Sequence, residues 1–260
     1  MTAFSRELFQ ARLGDAGGAA DRDVRVHDGI DSTSSELARL LKKGTAAGAV
    51  VVAERQHAGR GRRGRSWFSP AAGNLYISLA VDCGRRPEAV TKLPLAAGVA
   101  AVDATIDRCE PAPVLKWPND LLLNDRKVGG ILCEVTDPRG RPGLVIVGLG
   151  LNLGEFDPPP ELDGVAAGLA ILDREAVAGA WITGVESWAE RLRDPGQTAG
   201  LVQAWRERAE PFGRRVSVGE VTGVTLDLDS EGRLMIERDD GLVVAVVGGI
   251  VENVAATTPV

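Results

Sequence analysis

The twelve residues "QHAGRGRRGRSW" (56–67) hold four arginines and three glycines. Glycines at 59, 61 and 64 allow positive φ and a close approach of backbone to a ligand. Arg60, Arg62, Arg63 and Arg65 stay charged at any working pH and bind phosphate or carboxylate through paired N–H groups. Two chemistries fit this pattern: a grip on a nucleic-acid backbone, or closure over one small anion. On its own the stretch reads most simply as a solvated surface loop.

The lysines narrow the choice. They occur only at 42, 43, 92, 116 and 127, and the other 25 of the 30 basic residues are arginine. Two of the five fall in "KWPNDLLLNDRK", on either side of a turn written by Pro118, Asn119 and Asp120. Gly129 and Gly130 follow, where a strand passes something close. "GLGLN" (148–152) has the same small residues ahead of Asn152; it is no dinucleotide fingerprint, which needs a following helix where Pro158–Pro160 stand. "DSTSSE" (31–36) supplies Ser32, Thr33 and Ser34, of which Ser32 and Thr33 read first as a helix N-cap. The same hydroxyls can donate to a ligand carbonyl and accept from a ligand N–H.

Composition sets outer limits. A chain of 260 residues fits one large domain, or a medium domain with a small one. Two histidines, His27 and His57, exclude a multi-histidine metal site within one chain. Cys83, Cys109 and Cys133 are odd in number and match no zinc or disulfide spacing, so they read as free thiols. The net charge of −6 argues against a life on nucleic acid. No apolar run approaches a membrane span, and the N-terminus carries charges unlike a signal peptide. The expectation is a cytoplasmic protein with no membrane partner.

These residues need elements to hold them. "SRELFQARL", "STSSELARLLKK", "TKLPLAAGVAAVDATIDR" (with Pro94 near its start), "LDREAVAGAWITGVESWAERLRD" and "TAGLVQAWRERAE" have helical texture. "DVRVHD", "GAVVVAERQ", "NLYISLAVD", "PVLKW", "DLLLN", "KVGGILCEVT" and "GLVIVGLGLNL" read as strands, with "DPRGRPG" a turn signal between the last two. Runs of strands and runs of helices predict an α+β domain with a mixed or antiparallel sheet. After Pro211 the texture becomes short strands broken by "VGE", "DSEGR" and "RDDG", which predicts a small β-barrel. The expected boundaries are 1–210 and 211–260.

In this order and spacing, "DST", "ERQHAGRGRRGRSW", "NLYISL", "KWPND", "RKVGGIL" and "GLGLN", followed by a small β domain, resemble a biotin protein ligase from about residue 24 to 254. The resemblance implies a mixed sheet flanked by helices, similar to class II aminoacyl-tRNA synthetases, with a C-terminal SH3-like barrel. It implies a ligase that uses ATP and Mg²⁺ to make biotinyl-5′-AMP and passes biotin to one lysine of a carboxylase's biotin carboxyl carrier domain. Carried over position by position, it implies biotin contacts from Ser32, Thr33, Ser34, Gln56, Arg60, Gly61, Arg62, Lys127 and Gly130, with Tyr76 and Ser78 lining the pocket. Arg62, Arg65, Trp67, Lys116, Asn119, Lys127 and Asn152 are the implied ATP-binding residues. Lys127, Arg62 and Arg65 are the implied catalytic cations, and Asp120 is the candidate Mg²⁺ ligand. The family commonly reads Ser-Thr-Asn where this chain has Ser32, Thr33 and Ser34.

Many bacterial relatives carry an N-terminal winged-helix DNA-binding domain; about 25 residues ahead of the first strand are too few for one, so no sequence-specific DNA binding is expected. Two alternatives stand beside the ligase reading. An arginine-loop nucleic-acid module leaves Lys116 and Lys127 without a purpose. A lipoate or octanoate ligase leaves Ser32, Thr33 and Gln56 without one. The arginine loop is expected to be disordered when empty and to close as a lid over an acyl-phosphate.

Overall fold

The computed structural model describes residues 3–19, 21–71, 73–84, 86–136, 143–154, 156–194 and 198–254. The first part of the chain runs α1 (Arg6–Asp15), β1 (Val24–His27), α2 (Thr33–Lys43), β2 (Val50–Ala53), β3 (Leu75–Asp82), α3 (Pro87–Asp103), β4 (Val114–Lys116), β5 (Asp120–Leu123), β6 (Arg126–Thr136), β7 (Leu144–Leu151), α4 (Arg174–Arg191) and α5 (Thr198–Arg206). Its seven strands form one mixed sheet in the order β1-β2-β3-β7-β6-β5-β4. Strands β1 and β2 pair in parallel, and every other neighbouring pair is antiparallel.

Alternation along the strands builds two unequal layers. Val50, Val52, Ile77, Leu79, Val145 and Val147 join the main core with the apolar residues of α3 and α4. Val51, Ala80 and Ile146 face the other way and meet Leu37 and Leu41 of α2. Those leucines are four apart, on one helical face. Helix α2 stops at Gly44, whose φ of 106° is open to glycine at little cost. Beyond α2, this second face carries Gly130, Gly148 and Gly150 on β6 and β7, with Leu132 and Tyr76 as their large neighbours across the strands.

Helix α3 begins earlier than its sequence suggests, at Pro87, so Pro94 lies inside it and not near its start. An interior proline forfeits a helical hydrogen bond at a cost of about 3 kcal/mol. Burial of Leu93, Leu95, Ala96, Ala97, Val99 and Val102 around it outweighs that cost. The turn signal at 137–143 lies, apart from Gly143, outside the described residues.

The remaining strands, β8 (Arg215–Val218), β9 (Val221–Leu228), β10 (Leu234–Arg238), β11 (Val243–Val246) and β12 (Glu252–Asn253), form an antiparallel sheet ordered β11-β10-β9-β8-β12. The Asp229 carboxylate shapes its β9–β10 turn by accepting from the Glu231 and Arg233 amides, both at 2.9 Å. That turn is pinned to the large sheet's domain. Trp117 Nε1 donates to the Gly232 carbonyl at 3.0 Å, and Lys92, buried on α3, reaches Glu231 at 2.9 Å. Among the described residues no helix is long and apolar enough to cross a membrane.

Candidate functional site

The glycine-lined face opens into a cavity of about 470 Å³. One end is a chain of small polar groups. Ser32 holds the N-cap position of α2 in extended conformation (φ −158°, ψ 139°), but its side chain makes no capping bond. The capping reading of "DSTSSE" holds for position alone: Ser32, Thr33 and Ser34 are all buried, and the Thr33 and Ser34 hydroxyls are bonded elsewhere. Ser34 Oγ lies 3.0 Å from Ser78 Oγ, which donates to Thr33 Oγ1 at 2.8 Å. Gln56 Oε1 accepts from the Thr33 amide at 2.9 Å and from its hydroxyl at 3.3 Å. A hydroxyl has one proton. Since Ser78 spends its proton on Thr33, Ser34 is the donor to Ser78 and keeps acceptor capacity of its own. Gly148 makes room for it, because a Cβ there would sit 2.9 Å from Ser34 Oγ.

The other end is cationic. Lys127 and Gly130 are three residues apart, an odd spacing that would put them on opposite faces of a regular strand. The register shifts between Leu121 and Leu122: Leu121 pairs with Gly129, and Leu122 pairs with Lys127. Val128 is the extra residue of a β-bulge, which turns Lys127 to the Gly130 side. Lys127 Nζ then pairs with Asp120 Oδ1 at 2.7 Å and lies 5.3 Å from the Trp67 ring centroid. Lys116 lines the same cavity from β4, separated from β6 by β5 and not on an adjoining strand. Arg62 Nη1 donates to Asn119 Oδ1 at 2.6 Å, while Asn119 Nδ2 donates to the Ile131 carbonyl at 2.8 Å. Burial pulls the Arg62 guanidinium below its usual value, partly offset by Asp120. A half-desolvated cation there gains from any anion brought to it.

The arginine loop, expected to be disordered when empty, has a defined hairpin geometry. Arg60 and Ser66 form an antiparallel bridge, the Gly61 amide donates to the Arg65 carbonyl at 2.7 Å, and the Trp67 amide to the Gly59 carbonyl at 2.8 Å. Repulsion among the guanidinium groups is relieved because they find separate acceptors: Arg60 pairs with Glu134 and Arg62 with Asn119. Arg63 (φ 56°) and Arg65 remain exposed on the rim.

Trp67 lies across the glycine floor. A Cβ at Gly150 would come within 2.6 Å of its Nε1, and one at Gly130 within 3.4 Å of its ring. Gly130 and Gly150 are cross-strand partners, so two absent side chains make one slot. Asn152, next on this side, is fixed by Nδ2 donating to the Ala167 carbonyl at 3.0 Å. Trp67 Nε1 and Asn152 Oδ1 are buried with no partner among the described residues, although such groups are nearly always satisfied. One offers a donor and the other an acceptor to whatever fills the slot.

The cavity lining includes Ser32, Thr33, Ser34, Gln56, Arg60, Gly61, Arg62, Arg65, Trp67, Lys116, Asn119, Asp120, Lys127, Gly130 and Asn152. Tyr76 and Ser78, expected in the lining, sit behind it. The Tyr76 hydroxyl donates to the Pro70 carbonyl and accepts from Asn74, and Ser78 serves Thr33 and Ser34. The sequence reading missed Phe68 and Phe156, an edge-on pair at 6.2 Å, and the segment Gly249, Ile250, Val251 and Asn253 from the second sheet. The glycine pair of "GGIVEN" was the available signal for that segment. Among the described residues no three acidic, histidine or cysteine side chains gather into a metal cage. With one Asp120 oxygen on Lys127, the donor set fits only a cation that brings most of its ligands with it.

Residues 27–152 match the Biotin/lipoate A/B protein ligase family. The chain is 33% identical to the biotin–[acetyl-CoA-carboxylase] ligase of Mycobacterium tuberculosis over 261 residues, covering 95% of this chain and 94% of that one. It is 34% identical to the ligase of the same name from Paracoccus denitrificans over 226 residues, covering 81% and 92%. Among solved structures, the biotin protein ligase from Aquifex aeolicus in complex with biotin and ATP superposes with a TM-score of 0.78 at 25% identity, covering 89% of this chain and 99% of that one.

Proposed function

The chain belongs to the biotin/lipoate A/B protein ligase family, and on that premise we propose that it is a biotin protein ligase, activating biotin with ATP to biotinyl-5′-AMP and passing biotin to a lysine of a biotin carboxyl carrier domain. The observation that carries this reading is one cavity with a hydroxyl–amide chain at one end and cations at the other. Biotin's ureido ring has one carbonyl and two N–H groups in an apolar body. Ser32, Ser34 and Gln56 supply donors and acceptors for it, and leaving one such buried group unpaired would cost about 1–3 kcal/mol. The saturated tail of a lipoate or octanoate ligand would leave that chain unused.

In the first step a biotin carboxylate oxygen attacks the α-phosphorus of ATP, an anhydride bond forms, and pyrophosphate leaves. Two anions meet, so positive charge must offset their repulsion. Lys127, Arg62 and Arg65 serve that purpose. Lys127 is held in place by Asp120, and Arg62 by Asn119. Trp67 and Asn152 take the adenine, with Asn152 Oδ1 suited to accept from its exocyclic amine. Asp120 is the residue that would hold Mg²⁺, which would supply positive charge to offset that of the phosphates. In the second step the acceptor lysine, neutral at Nζ, attacks the acyl carbon; the amide forms, AMP departs, and the nitrogen loses a proton. Holding that nitrogen beside the anhydride supplies most of the acceleration. The boundary between catalytic and C-terminal parts falls near residue 211, although Gly249–Asn253 complete the cavity wall.

The test is incubation with ATP, Mg²⁺ and biotin, followed by mass spectrometry. Biotinyl-5′-AMP is the expected product. Its absence, or an equal yield of adenylate from lipoate, would overturn the reading.

A further inference from the structure

Ser69 has no part in the steps above, yet its hydroxyl touches both halves of the cavity. It is buried at the end of the arginine hairpin. Its Oγ accepts from Gln56 Nε2 at 2.9 Å and donates to the Trp67 carbonyl at 3.0 Å. Its own carbonyl accepts from the Gln56 amide at 3.2 Å. The orientation of Gln56 is forced from the far side, because Oε1 takes the Thr33 amide, a donor that cannot reverse. Nε2 must therefore face Ser69, with one proton left over. Gly59 packs against the same junction: a Cβ there would stand 2.4 Å from the Trp67 carbonyl and 2.6 Å from Ser69 Oγ. Three groups meet at one hydroxyl: the amide of the ureido end, the peptide carrying Trp67, and the base of the hairpin.

We propose that Ser69 is a positioning residue that couples occupancy of the Ser32–Gln56 end to the placement of Trp67, so that the nucleotide slot is ready when the biotin end is filled. This rests on reading the cavity as a biotin and ATP site. A ligand that takes the remaining Gln56 proton holds the amide still, and Ser69 hands that order to the Trp67 peptide. The nucleotide then meets a ring already ordered over Gly130 and Gly150. Ordering supplied by one ligand and used by another is positive coupling, and it is reciprocal.

Calorimetry gives the affinity for a non-hydrolysable ATP analogue with and without saturating biotin, in the unaltered protein, Ser69→Ala, Ser69→Cys and Thr105→Val. Thr105 is an equally buried hydroxyl whose bonds go to the Ala101 and Val102 carbonyls beside it, so it reports the generic loss of a buried hydroxyl. In the unaltered protein biotin tightens the analogue about 5- to 150-fold. In Ser69→Ala that factor falls to within about twofold of unity, while affinity for biotin alone changes less than about threefold, the low end of the range for one neutral hydrogen bond. Ser69→Cys keeps a weak donor and acceptor and an intermediate factor; Thr105→Val keeps the full one. An unchanged factor in Ser69→Ala, or an equal fall in Thr105→Val, overturns the proposal. Should Ser69→Ala fail to fold, amide exchange decides. Biotin alone then slows exchange at Trp67 less in Ser69→Cys than in the unaltered protein, and equal slowing overturns the coupling. An unaltered protein that binds both ligands without coupling sinks this proposal alone; one that binds neither sinks the biotin–ATP reading first.

Discussion

At the scale of single residues, Lys127 carries the sharpest prediction. Its ammonium is held between Asp120 and the Trp67 face, on the side of the strand where the bulge places it. Lys127→Met keeps the volume and removes the charge, leaving the Asp120 carboxylate facing two incoming anions. The single-turnover rate of adenylate formation should fall about 100-fold or more, the size of a lost transition-state charge contact. Circular dichroism should not change. A rate within about threefold of the unaltered enzyme would remove Lys127 from the chemistry. Gly150→Ala makes the opposite kind of change, adding an atom 2.6 Å from Trp67 Nε1. Overpacking of this kind costs about 1–3 kcal/mol. The loss should appear as weaker binding of an ATP analogue, about tenfold or more, with biotin affinity nearly unchanged. An equal loss for both ligands would show that Trp67 does not belong to the nucleotide half.

At the scale of elements, the entry of α2 and the arginine hairpin each make a measurable claim. Arg39 accounts for most of the effect that holds the Asp31 carboxyl down at about 2, with the Ser32 amide assisting. The folded value lies below the ordinary carboxylate value near 3.8, so the stabilisation is present above that value and is lost as pH falls through about 2. Asp31→Asn should lower Tm slightly at pH 6, less so in high salt because the pair is exposed, and the difference should vanish near pH 2. A difference that persists at pH 2 would assign the effect to packing. In the hairpin, Arg63 and Arg65 are exposed while Arg60 and Arg62 hold protein acceptors. Within 60–65, trypsin should cut first after Arg63 or Arg65. Biotin with an ATP analogue should slow that cut, because ligand order tightens the lid. RNA at physiological salt should not, and RNA protection without biotin protection would return the loop to nucleic acid.

At the scale of the whole molecule, the second sheet is part of the site. Its segment Gly249–Asn253 lines the cavity, and its β9–β10 turn holds Trp117, the residue beside Lys116 and Pro118. Gly232 is the pivot of that turn, with φ 78° and an added Cβ 2.4 Å from Leu95 Cδ1. Gly232→Ala should destabilise the protein by about 1–3 kcal/mol, through strain at positive φ and the clash. Adenylate formation should fall with it, because the turn and the KWPND segment move together. Full activity at an unchanged Tm would mean that the turn docks without mattering.

What the sequence determined by itself was local or a matter of residue type. Alternation and 3.6-residue spacing located the helices and strands, and the scarcity of lysine singled out Lys116 and Lys127. The arginine–glycine stretch offered charge and backbone freedom suited to an anion, since both are properties of the residues themselves, although by itself it read most simply as a solvated loop. What needed the tertiary structure were the relations between elements. The bulge at Val128 depends on a partner strand, so no spacing rule could turn Lys127 toward Gly130. The hydroxyls of "DSTSSE" looked like caps until Ser78 from β3 and Gln56 from the segment after β2 arrived to claim Thr33 and Ser34. Tyr76 and Ser78 went behind the lining because β3 presents them to polar neighbours there. The loop's order came from Glu134 and Asn119, which lie more than 50 residues away in the chain. Sequence fixes which groups a residue can offer; only the folded chain decides which partner each one meets, because hydrogen bonds and packing act over a few ångströms whatever the separation along the chain.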